Sequence, residues 1–304
     1  MRDERNLYNS VVKNSKYGYY ELSKEFRRSM GDFYSDRYYQ DDYSVYRHIK
    51  YDEIDMNKKK YFYAQKNHVF QSLFGKGGYR QSLLDIGTGE GYALAFFNNL
   101  NWKVLGIDYS LYGLEEHNPS MKKYLKQGDY YEIINELHRE GVNFDFINAD
   151  YVLEHLPEPD RFFDIIKKVS HKETLVCVTV PNEFSLIQKL AFEIGHIDEA
   201  FWVTKDTSEH FNYFSLASLC LLGEDKGYKK ILATADWPID FFLLHDNTNY
   251  RNNNKIGHDC HVACTLLENS IYAESMDKAI EFFSAMAEVG MGRQVSVYFK
   301  LFEG

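Results

Sequence analysis

The stretch Ser82-Leu-Leu-Asp-Ile-Gly-Thr-Gly-Glu-Gly-Tyr92 constrains the fold more than any other part of the chain. Residues 82–86 are a short apolar run holding one acid, too short for a helix. The run breaks into Gly87, Gly89 and Gly91, and Tyr92-Ala-Leu-Ala-Phe-Phe97 reads as the opening turns of a buried helix. Strand, glycine-rich turn and helix together present free backbone N–H groups and a helix N-terminus to a ligand. The glycines let backbone approach that ligand and take positive φ where the turn demands it. The stretch predicts a nucleotide-like cofactor.

Spacing narrows the choice. A dinucleotide fingerprint is G-x-G-x-x-G around a pyrophosphate, whereas here the pattern is G-x-G-x-G after an acid. Asp85 and Glu90 put negative charge where two phosphates would lie, which suits a ligand with a cationic part. Residues 103–107 read as a second strand, followed by Asp108. Asp108 stands 21 residues after Gly87, close to the spacing of about 20 expected for an acid that accepts ribose hydroxyl protons.

Three segments in order carry a resemblance: Leu84-Asp-Ile-Gly-Thr-Gly-Glu-Gly91, Gly106-Ile-Asp-Tyr-Ser110 and Asp150-Tyr-Val-Leu-Glu-His-Leu-Pro157. They resemble the successive motifs of class I S-adenosylmethionine-dependent methyltransferases, over about 79–183 and more weakly to the C-terminus. The resemblance implies an α/β fold, a Rossmann-like, doubly wound, seven-stranded, mostly parallel sheet with antiparallel last strands. It implies S-adenosylmethionine as cofactor and S-adenosylhomocysteine as product. It assigns the cofactor to Asp85, Gly87, Thr88, Gly89, Gly91, Asp108, Tyr109, Asn148 and Asp150. Asp129 is to accept from the adenine amino group, with Tyr130 flanking the ring. A Rossmann-like domain of another kind is the alternative.

Residues 1–78 precede this core and are expected to form a helical, aromatic lid. Part of 1–30 is expected to be helical, and 53–74 has helical spacing. Phe33, Tyr34, Tyr38 and Tyr39 loosely match the family's aromatic cofactor cover; packing on the sheet is the other reading. Lys58-Lys-Lys60 reads as a solvated helix face. From 79 to 304 strands and helices alternate, as in a parallel sheet. Strands are expected at 124–130, 143–148, 174–181, 230–235, 258–267 and 292–300. Helices are expected at 111–124, 131–141, 160–170, 216–226 and 276–289. An insertion at about 182–215 carries Trp202. The whole reads as one elaborated domain.

Partners and compartment follow from composition. A net charge of −10 argues against DNA or RNA, which demand a basic footprint. No apolar run is long enough to span a bilayer, and no signal-peptide pattern opens the chain. The four cysteines show no framework spacing, so the expectation is a soluble cytoplasmic protein with free thiols. A homodimer is left open.

In an open α/β sheet ligands bind beyond the carboxyl ends of the strands, near the reversal in strand order. The catalytic candidates are His210, His155 and Tyr39, and the acceptor-binding candidates Tyr38, Tyr213 and Trp202. His has the right ordinary pKa to move a proton near neutrality. The Glu154-His155 pair is common in the family whatever the substrate, which implies a structural or cofactor-side role, with general base the alternative. His210-Phe-Asn-Tyr-Phe214 resembles a stretch of relatives that act on sugars and small metabolites, which implies an acceptor-side base; an indirect supporting role is the other reading. His258-Asp-Cys-His261 invites a metal, but alternation along a strand would split the four between faces, so no metal is expected. The acceptor is expected to be a small polar metabolite methylated on oxygen: a sugar, nucleotide-sugar or phosphorylated precursor in surface polysaccharide or secondary metabolism. A small amine, or a non-catalytic scaffold that binds the cofactor, are the alternatives.

Overall fold

The computed structural model describes residues 11–24, 50–75, 81–198 and 210–302. The chain begins with strands β1 (Val11–Lys13) and β2 (Tyr20–Leu22) and helix α1 (Glu53–Phe74). It continues through β3 (Ser82–Ile86), α2 (Tyr92–Asn99), β4 (Lys103–Asp108), α3 (Tyr112–His117), β5 (Leu125–Gln127) and α4 (Tyr130–Arg139). Next come β6 (Phe144–Asp150), α5 (Pro159–Ile166), β7 (Ser170–Pro181), α6 (Leu186–Glu193), β8 (Asn212–Tyr213) and α7 (Leu216–Asp225). It closes with β9 (Tyr228–Ala235), α8 (Gly257–Glu274), α9 (Met276–Glu288) and β10 (Gln294–Leu301).

Seven strands form one sheet in the order β5-β4-β3-β6-β7-β10-β9. β3 pairs in parallel with β4 on one side and β6 on the other, so the strand order reverses there and a crevice opens beyond their carboxyl ends. Alternation along the central strands separates two cores. Leu83, Phe146 and Cys177 face Phe70 of α1, Phe97 and Trp102. Their neighbours Leu84, Ile147, Val176 and Val178 face Phe162 and Ile134 on the opposite layer. The same alternation puts Asp85, Asn148 and Thr179 on the α1 face, two residues beyond Leu83, Phe146 and Cys177. α1 therefore lies directly over the polar ends of the central strands.

A second, three-stranded sheet, β1-β2-β8, ties the N-terminal hairpin to the segment after β7. Leu22, Phe184, Ala191, Phe211 and Tyr213 form its own small core. Ser185 caps α6 in a reciprocal capping box with Gln188, which fixes where this segment turns back.

Two local expectations fail, and a third is only partly described. Residues 258–267 belong to helix α8, whose buried Cys260, Cys264, Glu268 and Tyr272 recur every fourth position; a short apolar run with β-branched members had imitated a strand. Consequently only β10 runs antiparallel in the main sheet, and β9 is parallel to the rest. Within 1–30, residues 11–22 hold two strands joined by a turn with Gly18 at φ 80°, and the rest of the expected helical part lies almost wholly outside the described residues. Lys58 and Lys59 turn inward: Lys58 pairs with Glu268 at 3.1 Å and Lys59 with Glu90 at 3.1 Å, leaving only Lys60 on the solvated face. No helix among the described residues is long and apolar enough to cross a membrane.

Candidate active site

The glycine turn after β3 is held against β4, with Gly87 and Thr88 both donating to the Ile107 carbonyl at 2.9 and 3.2 Å. Gly87 sits at φ 72°, and a Cβ there would fall 2.4 Å from the Val152 side chain. Glycine is required on both counts. Asp108, at the tip of β4, accepts from the backbone N–H of Gly89 at 2.7 Å and of Ser110 at 2.8 Å. Those two donors hold the carboxylate at the pocket edge and favour its charged form, while burial pushes its pKa up.

A pocket of about 370 Å³ opens here, within the usual range for small-molecule sites. Gly87, Thr88, Gly89, Gly91, Asp108, Tyr109, Tyr130, Asp150 and His155 line it. Asp85, Asn148, Asp129, His210 and Tyr213 do not. Tyr38, Tyr39 and Trp202, with Phe33 and Tyr34, lie outside the described residues.

Asp85 and Asn148 work underneath. Asn148 donates from Nδ2 to Asp85 at 2.8 Å and to Asp150 at 2.9 Å. Lys66 of α1, fully buried, donates to Asn148 at 2.8 Å, to Asp150 and to Thr179 at 3.3 Å. Burial raises the Asp85 carboxyl to about 7. One ammonium thus supports two acids under the floor, and Asp150 carries the network up to the pocket. Asp129 has a third role: it caps α4, accepting from Tyr131 and Glu132 N–H at 2.8 and 3.0 Å, and from the Tyr109 hydroxyl. It holds Tyr109, which does line the pocket.

α1 supplies a wall absent from the sequence reading. Lys59 lies 4.0 and 4.5 Å from the ring centres of Tyr51 and Tyr92. Tyr51 also donates to Glu90 at 2.7 Å. Lys59, Tyr63, Lys66 and Phe70 follow each other at steps of four, three and four, so one helical stripe runs from pocket wall to polar floor to core. That spacing was the available signal. On the opposite side, Tyr151 takes φ 57°, unusual for a non-glycine residue, and turns the chain after β6 across the pocket.

His155 brings a second cluster to the pocket edge. Its ring stands 5.0 Å from that of His210, edge to face, and His210 lies 6.3 Å from Tyr213. Glu183 approaches His210 Nδ1 at 3.7 Å. Glu154 is buried beside them, with its carboxyl raised to about 7 by that burial. β8 fixes the arrangement: Asn212 donates to the carbonyls of Leu153 and Leu156 at 3.1 and 2.6 Å, and Phe211 N–H to Glu154 at 2.8 Å. His258 to His261, by contrast, form no ligand group on α8; His261 pairs with Asp55 of α1 at 2.8 Å.

A carboxylate at the second strand tip, close backbone, aromatic walls and acids at the mouth fit a ligand with a ribose, a flat ring and a cationic centre. Residues 57–233 match the model of a family described as a methyltransferase domain. A search of curated proteins returns no significant match. Among solved structures, the plantazolicin methyltransferase BamL, in complex with a triazolic analog and SAH, is 11% identical at a TM-score of 0.49, over 81% of this chain and 86% of that one. A SAM-dependent methyltransferase from Archaeoglobus fulgidus is 14% identical at 0.43, over 82% and 100%. The magnesium protoporphyrin IX methyltransferase of Synechocystis, with bound SAH, is 14% identical at 0.42, over 61% and 82%.

Proposed function

The chain belongs to the S-adenosylmethionine-dependent methyltransferases, and we propose that it methylates an oxygen of a small, polyhydroxylated acceptor of the sugar or nucleotide-sugar type. The observation that carries this reading is the His155–His210 pair, edge to face at 5.0 Å at the pocket edge, with Glu154 and Glu183 against it. A sugar hydroxyl is a poor nucleophile until its proton is taken, and imidazole flanked by carboxylates is suited to take it near neutral pH.

When bound, S-adenosylmethionine supplies a methyl group on a sulfonium centre and leaves as S-adenosylhomocysteine. Asp108 would hold the ribose hydroxyls, and Tyr109 and Tyr130 the ring. Gly87 to Gly91 would let the backbone close on the rest. Lys66 pairs with Asp150 and fixes its carboxylate at the pocket wall, where a cationic ligand would lie. The His155–His210 pair would take up that one hydroxyl proton as the new carbon–oxygen bond forms, His155 being the member on the pocket wall. Holding the two reactants in line contributes as much as the proton transfer.

The acids at the mouth give a second reading some weight. Glu90 and Asp150 line the pocket and Glu154 and Glu183 lie next to it, and four carboxylates also suit a cationic amine. A place in surface polysaccharide or secondary metabolism would follow from a sugar acceptor. The test is methyl transfer from isotopically labelled donor to a panel of neutral sugars, nucleotide-sugars and small amines. Label on a sugar oxygen supports the proposal. Label on amines alone replaces it with nitrogen methylation, and label on neither across a broad panel leaves the cofactor-binding scaffold.

A further inference from the structure

Glu154, His155 and His210 each offer one ligand atom, and all three atoms lie within 4.8 Å of one another. They form the one such group of histidines, cysteines and acids among the described residues. Glu154 adds a second, independent observation: it is 1% exposed, and neither of its carboxylate oxygens accepts a hydrogen bond. Leaving a buried carboxylate without hydrogen bonds is costly, by about 1–3 kcal/mol or more, unless a proton or a cation meets it. His155 Nε2 already lies 3.9 Å from Glu154 Oε1. Around a divalent ion with bonds of about 2.0–2.1 Å, neighbouring ligand atoms stand roughly 3–3.5 Å apart. The observed separations, 3.9 Å for that pair and within 4.8 Å for all three, exceed that value by about 1 Å, so binding would draw the side chains together.

We infer that Glu154, His155 and His210 bind a divalent first-row transition metal ion beside the cofactor pocket. Two imidazole nitrogens and one carboxylate are the donor set of zinc and its neighbours, whereas magnesium and calcium prefer oxygen throughout. The three residues come from two chain segments, the turn after β6 and the entry to β8, joined by the Phe211–Glu154 backbone bond. Glu183 stands 3.7 Å from His210 Nδ1, placed to become the outer carboxylate that commonly orients a metal-bound histidine. Three protein ligands leave positions open, and His155 reaches the pocket wall. With the ion in place both imidazoles are its ligands, so it would hold an acceptor hydroxyl, lower its pKa and send its proton to solvent in place of the imidazole acceptor of the metal-free reading. This last role rests on the methyltransferase reading; the binding of the ion does not.

The test uses the full chain, stripped with a chelator and dialysed against zinc chloride. Elemental analysis is expected to give one zinc per chain, and cobalt chloride to give the visible spectrum of a nitrogen- and oxygen-ligated ion. Glu154→Gln and His210→Ala should each weaken zinc binding at least about 100-fold, since even changes in the outer shell cost 10–100-fold. His261→Ala, on α8, should bind zinc as the wild type does. Circular dichroism identifies a variant that has not folded, and the wild-type zinc and cobalt titrations then decide the matter. No stoichiometric zinc or cobalt on the wild type, or equal zinc affinity in folded Glu154→Gln and His210→Ala, overturns the inference. If methyl transfer also proceeds unchanged on the stripped protein, the metal is excluded and the methyltransferase reading stands. Bound zinc with no methyl transfer to any acceptor gives the opposite result.

Discussion

The two halves of the pocket are built in different ways. On the proposed cofactor side, a single span from β3 to the tip of β4 supplies turn, helix and carboxylate, held together largely by backbone hydrogen bonds. On the proposed acceptor side, His155, His210, Glu154 and Glu183 arrive from three segments and meet where Phe211 and Asn212 bond to the turn after β6, with β8 backed by the N-terminal hairpin. A local site is pre-organised by its own chain; an assembled one depends on tertiary structure. The first should tolerate distant changes, and the second should fail when its supports move. Beneath the cofactor side, Lys66 is the exception, a distant residue holding up a local motif.

The largest effect expected is on turnover. His210→Ala should lower kcat by about 10²–10⁴-fold, the usual loss of a proton-transfer group, with S-adenosylhomocysteine affinity unchanged in calorimetry. A matching fall in affinity would erase the division between halves. Lys66→Met should follow, destabilising the fold by about 3–5 kcal/mol in denaturant titration, because it leaves Asp150 and Asp85 buried without their cation. A loss under 1 kcal/mol would mean that the acids manage without it.

Asp108→Ala should weaken S-adenosylhomocysteine by about 1–3 kcal/mol while thermal stability changes little, since a charged acceptor for the ribose is removed. Asp129→Ala should do the reverse, costing about 0.5–2 kcal/mol of stability through a lost helix cap with cofactor affinity nearly kept. A sharp drop in affinity there would return Asp129 to the adenine contact that the resemblance implies.

The smallest effect is on pH dependence. The Asp85 pKa is raised in the folded state, from an ordinary value near 4 to about 7. The folded protein therefore binds more protons between those values, and this group's contribution is full below pH 4 and lost as pH rises through 7. Asp85→Asn should flatten the fall in stability between about pH 4 and 7. An unchanged slope would show that Asp85 titrates normally.

The same contrast explains what could be read in advance. β3, the glycine turn, α2 and Asp108 at the tip of β4 were legible because strand, turn and helix follow one another without a gap. Helix α1 was legible to its ends: Asp52 caps it, accepting from Asp55 N–H, and Gly75 closes it in a non-helical conformation. The roles of Lys59 and Lys66 were hidden, since a lysine reads as solvated until the acids across the space are known. Asp129 shows the converse: a motif position whose carboxylate is taken up by local backbone donors. α8 misled because its buried face uses Cys260 and Cys264, small residues that give a weak helical signal beside a β-branched neighbour.

The most direct test of the account is a calorimetric titration of the wild-type chain with S-adenosylhomocysteine and, separately, with NAD. The account predicts one S-adenosylhomocysteine site per chain with Kd on the order of micromolar, and no heat from NAD. Absence of S-adenosylhomocysteine binding, or NAD binding of equal strength, would contradict the assignment of the pocket and of everything built on it.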